Sequence, residues 1–536
     1  MIRKASLLIR NGRVYTVDGK KSRAQAVAVV GDRIVFVGTN RQAEEHIGPN
    51  TKIIDAEKRT VLPGFIDSHV HFTMGYMETS WVKLDQADSL EDIFELILGH
   101  VRKHPEYRLI GGFGWKYETA QSTGGLPNRK DIDEVIPDKP VLLLSFDGWM
   151  GLANSKFTDI AMRALRVSPS FLGSMESDPG TGEPTGVIHN PFDFMYIGGH
   201  VSELIRENEI GGLKEIISQA TRLGITSVHE ALADLKDLNI LRLLRDEGSL
   251  NARVYCALYH PRWTTEDELT KFEEAKAGYN DEWVRTGAIK LFIDGVLESH
   301  TAALLEGYAD RPSFKGELKF TPKEFNEVVE RLDRMGFQCF VHACGDRGVR
   351  IALDAFENAL RENGRKDGRH RIEHIEVISD LDIPRFKQLG VIASMQPEHV
   401  ESSPGTAYYR VAGEERMRRA FRWRSLMSAG ATLAFSSDWS VADLNPLSGI
   451  HEAVTRHGEY GKDQTVPLEK AIEAYTINGA YASFEEHIKG SLEVGKLADI
   501  VILSEDLFEI PADRIREVEV LMTVLGGREI YRSDMF

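Results

Sequence analysis

Short apolar runs alternate with longer amphipathic stretches through the middle of this chain. Eight of the runs begin near Val61, Ile225, Arg253, Ala288, Phe337, Arg371, Val391 and Thr432. A run of about four to eight apolar residues bounded by turn residues predicts a buried strand, and strands separated by helical patterns predict parallel βα units. Eight such units are the count for a closed (β/α)8, TIM-like barrel, so the fold class is α/β. Residues 80–200 break this rhythm. They carry two further apolar runs, 108–115 and 141–147, and then become rich in Gly, Pro and Ser around 178–186. We read them as an insertion after the first barrel strand. Near the N-terminus, residues 26–37 hold two β-rich runs around Gly31-Asp32, a hairpin signal. Near the C-terminus, 498–503 reads as a strand and 520–531 as another hairpin. The two ends together predict a small β-sandwich of residues 1–60 plus 489–536. The barrel then occupies 61–488, insertion included.

A chain of 536 residues exceeds one ordinary core, and a large barrel with a satellite accounts for the excess. The formal net charge of −17 argues against nucleic acid and against anionic membrane surfaces, since both call for a basic face. Three cysteines, Cys256, Cys339 and Cys344, give no disulfide framework and suit a reducing compartment. The apolar stretch after Met1-Ile-Arg-Lys4 is too short for a signal peptide, and no run reaches the ~18 apolar residues of a membrane span. We therefore expect a cytoplasmic protein whose partner is a small-molecule substrate rather than nucleic acid or membrane, with a homodimer as the expected assembly.

The first apolar run ends in Val61-Leu-Pro-Gly-Phe-Ile-Asp-Ser-His69-Val-His71. Residues two apart on a strand share a face, so His69 and His71 place two imidazoles side by side, and imidazole is the commonest protein ligand for borderline metals. Alone, the pair is weak in a chain with 17 histidines. Further polar groups lie at later strand ends, where barrel active sites are built. His342 ends Phe337-Gln-Cys-Phe-Val-His342. His374 ends Arg371-Ile-Glu-His374, and Asp438 ends Thr432-Leu-Ala-Phe-Ser-Ser-Asp438. Lys290 interrupts the apolar Gly287-Ala-Ile-Lys-Leu-Phe-Ile-Asp294. It reads as a snorkelling edge lysine, as a partner of Asp294, or as a lysine carboxylated on Nζ. Taken singly, each of these residues is more readily a hydrogen-bonded structural group than a ligand. Together at one barrel mouth they need an ion, because unpaired buried charge is costly.

The order His-x-His, Lys, His, His, Asp resembles the amidohydrolase superfamily of metal-dependent barrel hydrolases, and the resemblance covers nearly the whole chain. The lead-in to His69 is typical of it. So is Gly490-Ser-Leu-Glu-Val-Gly-Lys-Leu-Ala-Asp-Ile-Val501. Finer motifs resemble the N-substituted formamide deformylase-like branch: the run from Lys290 to Val296, Thr301 to Tyr308, His342 to Arg347, and Asn154-Ser-Lys156. The resemblance implies two zinc ions per chain, replaceable by other divalent metals. His69 and His71 would hold the more buried ion and His342 and His374 the more exposed one. Carboxylated Lys290 would bridge them, and Asp438 would bind metal and handle protons. It further implies hydrolysis of a non-peptide C–N bond, in a linear amide or N-substituted formamide, by a metal-activated hydroxide. Cyclic amide hydrolysis, deamination and ester or lactone hydrolysis use the same centre, and a non-catalytic scaffold is the rival from another class. Many relatives carry a histidine where this chain has Trp149, and some an arginine near His300, which implies a different grip on substrate. Trp81, Trp115 and Trp149 are expected either to line an apolar pocket or to form the insertion's own core. His229, ending Ile225-Thr-Ser-Val-His229, is a further residue expected to face the site.

Overall fold

The computed structural model describes residues 3–536 except 21, 118–125, 147, 168–174, 190, 192–198, 403–409 and 457–460. Eight parallel strands form one sheet in chain order. They are β1 (Phe65–Val70), β2 (Ile225–Ala233), β3 (Arg253–Tyr259), β4 (Val284–Phe292), β5 (Gln338–Ala343), β6 (Arg371–His374), β7 (Ile392–Met395) and β8 (Thr432–Phe435). All nine residues of β2 are buried, as expected for a strand covered on both faces. The register runs Ile225 against Phe65 and Val228 against Asp67. The last strand returns to the first just beyond its own end. Asp438 N donates to His69 O at 2.9 Å, and His71 N donates to Trp439 O at 2.8 Å.

The first barrel strand starts later than the apolar pattern predicts. Val61 lies in a separate strand, Thr60–Pro63, which pairs with Ile500–Leu503 in register Val61 against Ile502. Pro63 and Gly64 end that strand. A Cβ at Gly64 would sit 2.3 Å from the Thr226 side chain, so the turn between the two strands needs a glycine. Thr60–Pro63 is one of six strands in a sheet built from both ends of the chain. The others are Arg13–Tyr15, Arg23–Ala24, Ile500–Leu503, Val520–Leu525 and Arg528–Arg532. A four-stranded sheet holds Leu7–Arg10, Ala26–Val30, Arg33–Gly38 and Lys52–Asp55. Leu7, Ile9, Val27 and Ile54 from the second sheet share one apolar cluster with Val14, Val61, Ile502 and Met522 from the first. This is sandwich packing, with inward side chains of two sheets interleaved.

Residues 1–71 and 217–536 make one compact unit, and residues 72–216 make another. The second unit is wider than the insertion expected at 80–200. Its six-stranded sheet runs Met175–Ser177, Pro184–His189, Met150–Ala153, Val141–Ser145, Ile110–Trp115 and Val82–Lys83. Residue 147, at the end of the second apolar run, and parts of 80–200 lie outside the described residues. Helix Leu90–Lys103 is capped by Ser89, whose side chain accepts from Asp92 N, and buries Ile93 and Ile97 in the unit's core. Among the described residues no helix is long and apolar enough to cross a membrane.

Candidate metal centre

β1 delivers both histidines to one place. His69 is fully buried and His71 nearly so, and their ring centroids lie 5.3 Å apart. β8 delivers Asp438 opposite them, with φ at 57°. Aspartate tolerates this left-handed backbone better than most residues do. A second carboxylate holds the two strand ends in register. Asp67 Oδ1 accepts from His69 N at 3.2 Å and from Ser437 N at 3.1 Å. Asp438 Oδ1 then lies 3.0 Å from His71 Nε2 and 3.4 Å from His69 Nε2. Metal bonds of about 2.0–2.2 Å set neighbouring ligand atoms roughly 3.0–3.6 Å apart in four- to six-coordinate geometry. Asp438 Oδ1 has no hydrogen-bond partner among the described residues. A divalent ion that accepts imidazole nitrogen and carboxylate oxygen fits this group, whose donor atoms all lie within 4.8 Å of one another.

The other oxygen of Asp438 faces a second pair of histidines. Oδ2 is 3.6 Å from His374 Nδ1 and 3.6 Å from His399 Nε2, and the two rings are stacked at 9°. His374, at the end of β6, has Nδ1 3.0 Å from Gln396 Oε1. That contact occupies Nδ1, so Nε2 is the nitrogen His374 has for an ion. His342, ending β5, is close by, its ring centroid 4.5 Å from that of His374. Its Nε2 lies 3.1 Å from Gly295 O and so donates to that carbonyl.

Lys290 projects inward from β4 and is buried. Its Nζ lies 3.3 Å from His69 Nε2 and 4.9 Å from the Phe292 ring centroid. Burial lowers its pKa to about 8, with Glu373 and Asp438 acting in the opposite direction. Burial excludes the snorkelling reading. No ion pair joins it to Asp294 either, whose carboxylate accepts from the backbone of Ala303, Cys344 and Gly345 at 2.9–3.1 Å. Burial also holds His69, His342, His374 and His399 below the usual imidazole range, the state in which a ring can bind a cation. Burial pushes Asp438 upward, but His69, His71 and His374 outweigh it and keep the carboxyl well below its ordinary range.

Three of the expected substrate residues have partners within the protein. His229 is fully buried inside the barrel, with Nδ1 2.9 Å from an Arg371 nitrogen, so the barrel interior holds its ring in place. His300 meets both oxygens of Asp310 at 3.0 Å. Trp115 is fully buried in the insertion's own core, and its indole N–H donates to Leu143 O at 3.0 Å. Trp149 is half-buried, just ahead of strand Met150–Ala153, and Trp81 packs on Tyr76. Reasoning from sequence missed His399. It follows β7 in Met395-Gln-Pro-Glu-His399, and its only signal is that position after a barrel strand.

Histidines and an aspartate gathered where the strands of a parallel barrel end define a metal-dependent hydrolase of the barrel type. The sequence model of the amidohydrolase family matches residues 52–531, and the chain belongs to that family. Protein LONG AFTER FAR-RED 3 of Arabidopsis thaliana is 31% identical, over 98% of this chain and 92% of its own length. N-substituted formamide deformylase of Arthrobacter pascens is 25% identical, over 98% of each. Among solved structures, a metal-dependent hydrolase from Pyrococcus horikoshii superposes with a TM-score of 0.75 at 26% identity, covering 94% of this chain and 99% of that one.

Proposed function

We propose that this chain hydrolyses a non-peptide C–N bond, in a linear amide or an N-substituted formamide, with two zinc ions per chain. One observation carries the reading. Asp438 gives Oδ1 to the His69–His71 pair and turns Oδ2 toward His374 and His399. A carboxylate so divided can hold an ion with one oxygen and move a proton with the other. His69, His71 and Asp438 would hold one ion. His342 and His374 would hold the other, with Lys290 carboxylated on Nζ as the bridge. When bound, such ions polarise a carbonyl and lower the pKa of water toward neutrality.

The chain's own residues supply the rest. With a pKa lowered to about 8, Lys290 is partly the neutral amine, the form that adds carbon dioxide and releases a proton to become a carbamate. Asp438 Oδ2 takes the proton of the attacking water and returns it to the leaving nitrogen. An amine leaves poorly unless protonated, so this transfer favours C–N cleavage. Similarity along the full length to a formamide deformylase supports N-substituted formamides as the first substrates to try.

The test combines elemental analysis with a substrate panel of formamides, linear amides, cyclic amides and lactones. We expect two divalent ions per chain and fastest turnover on a linear amide or formamide. Sub-stoichiometric metal, with no activity gained from zinc, manganese or cobalt, would sink the metal assignment. Turnover confined to cyclic amides or lactones would sink the substrate class.

A further inference from the structure

We infer that Glu373 is a positioning residue for the metal centre: it fixes the ring state of His69 so that Nε2 presents its lone pair to the ligand group, while Arg371 holds the carboxylate in place. The inference rests on the metal-dependent reading above.

His69 Nδ1 lies 2.5 Å from Glu373 Oε2, and both side chains are fully buried. A carboxylate only accepts, so His69 Nδ1 must carry the proton. In the neutral ring the lone pair is then on Nε2. That atom is the one 3.4 Å from Asp438 Oδ1 and 3.3 Å from Lys290 Nζ. The opposite tautomer would turn an N–H toward the ion.

The support for Glu373 follows from strand alternation. Arg371 and Glu373 are two apart on β6 and share a side, while His374, next along, serves the mouth. Arg371 Nε donates to Glu373 Oε1 at 2.6 Å and Nη2 donates to Oε2 at 2.9 Å, a bidentate fork. Nη1 donates to His229 Nδ1 at 2.9 Å, and Nη2 also reaches Ser394 Oγ at 2.7 Å and Ser68 O, so its two hydrogens are shared among three acceptors. The guanidinium carbon sits 3.8 Å from the Phe340 ring centroid. β1, β2, β6 and β7 thus each contribute a partner, and neither the ring nor the carboxylate can rotate away cheaply. A buried ion pair seldom outdoes apolar residues of equal volume in stability. What this one supplies is direction for a metal ligand.

Partners of this kind are worth about 10–100-fold in metal affinity when removed. The experiment is zinc binding to the full-length metal-free protein, by competition with a chromophoric chelator, for wild type and Glu373→Gln. Glutamine keeps the size but can also donate, so either tautomer of His69 becomes possible. We expect the tighter zinc to bind about 10–100-fold more weakly, Glu373→Asp to recover part of the loss, and the cobalt-loaded visible spectrum to shift. Affinity and spectrum both indistinguishable from wild type would overturn the inference. Should Glu373→Gln fail to fold, ¹⁵N-histidine spectra of the metal-free wild type decide the matter. A proton on His69 Nδ1 supports the inference, and one on Nε2 overturns it. Wild type that binds no zinc in the same assay refutes the metal-dependent reading itself, a result distinct from equal binding by both proteins.

Discussion

Because Asp438 divides its oxygens between two histidine pairs, replacing it with asparagine separates holding from proton transfer. An asparagine there would keep the size and still offer an oxygen to an ion, but could not take a proton. We expect Asp438→Asn to lower kcat by about 10²–10⁴-fold with KM little changed, since general acid–base groups act mainly in the transition state. The loss should be greater for amides with basic amines than for activated esters. Metal content is measured alongside. A variant that keeps its ions and hydrolyses an unactivated amide at wild-type kcat would remove Asp438 as the proton carrier. At this scale His69, His71 and Asp438 are legible in the sequence because strand periodicity and strand ends place them. Glu373 and His399 are not. Nothing along Arg371-Ile-Glu-His374 says that the glutamate reaches His69 Nδ1, because that contact crosses more than 300 residues of chain.

At the scale of elements, periodicity locates strands well and their ends poorly. The run from Val61 to Ile66 holds no polar side chain, yet Pro63-Gly64 cuts it into a sandwich strand and a barrel strand. The cut is set by what lies against Gly64, which a one-dimensional pattern does not contain. A second close approach is equally invisible in sequence. Gly212, in helix Glu209–Arg222, lies against Gly75, so a Cβ there would meet Tyr76 N at 2.1 Å and Gly75 C at 2.3 Å. Alanine would gain roughly 1 kcal/mol of helix propensity. The atoms it strikes are backbone and cannot swing aside, and overpacking costs about 1–3 kcal/mol. We therefore expect Gly212→Ala to lower stability and to speed proteolysis within 72–216. An unfolding temperature equal to or above wild type would show that the approach tolerates a methyl group.

For the whole molecule, the barrel is tied to the sheet of the two chain ends through a buried ion pair. Arg253, the first residue of β3, donates from Nε to Asp499 Oδ2 at 2.8 Å and from Nη2 to Oδ1 at 3.1 Å. Asp499 Oδ1 also accepts from Gly526 N at 2.8 Å. Arg253→Ala would leave Asp499 buried without its counter-charge, a change that typically costs about 3–5 kcal/mol. Denaturant unfolding should show this loss while the zinc affinity of the folded variant stays near wild type. A loss under about 1 kcal/mol, the worth of an exposed pair, would mean that water reaches Asp499. The alternation of strands and helices made the barrel legible, and the β-rich runs near both termini did the same for the paired ends. The ion pair was not, because nothing in the segment around Arg253 or in the one that leads into Ile500–Leu503 names the other as its partner.

The return of the last barrel strand to the first also has a consequence for biosynthesis. His71 N reaches Trp439 O, and Asp438 N reaches His69 O, so the seam of the barrel and the His69–Asp438 pairing are one piece of structure. His69 and His71 leave the ribosome hundreds of residues before Asp438 does. Strand Thr60–Pro63 likewise waits for Ile500–Leu503. A nascent chain therefore owns His69 and His71 long before Asp438 arrives to complete their group. An ion held by His69, His71 and Asp438 would therefore report that translation has passed residue 438.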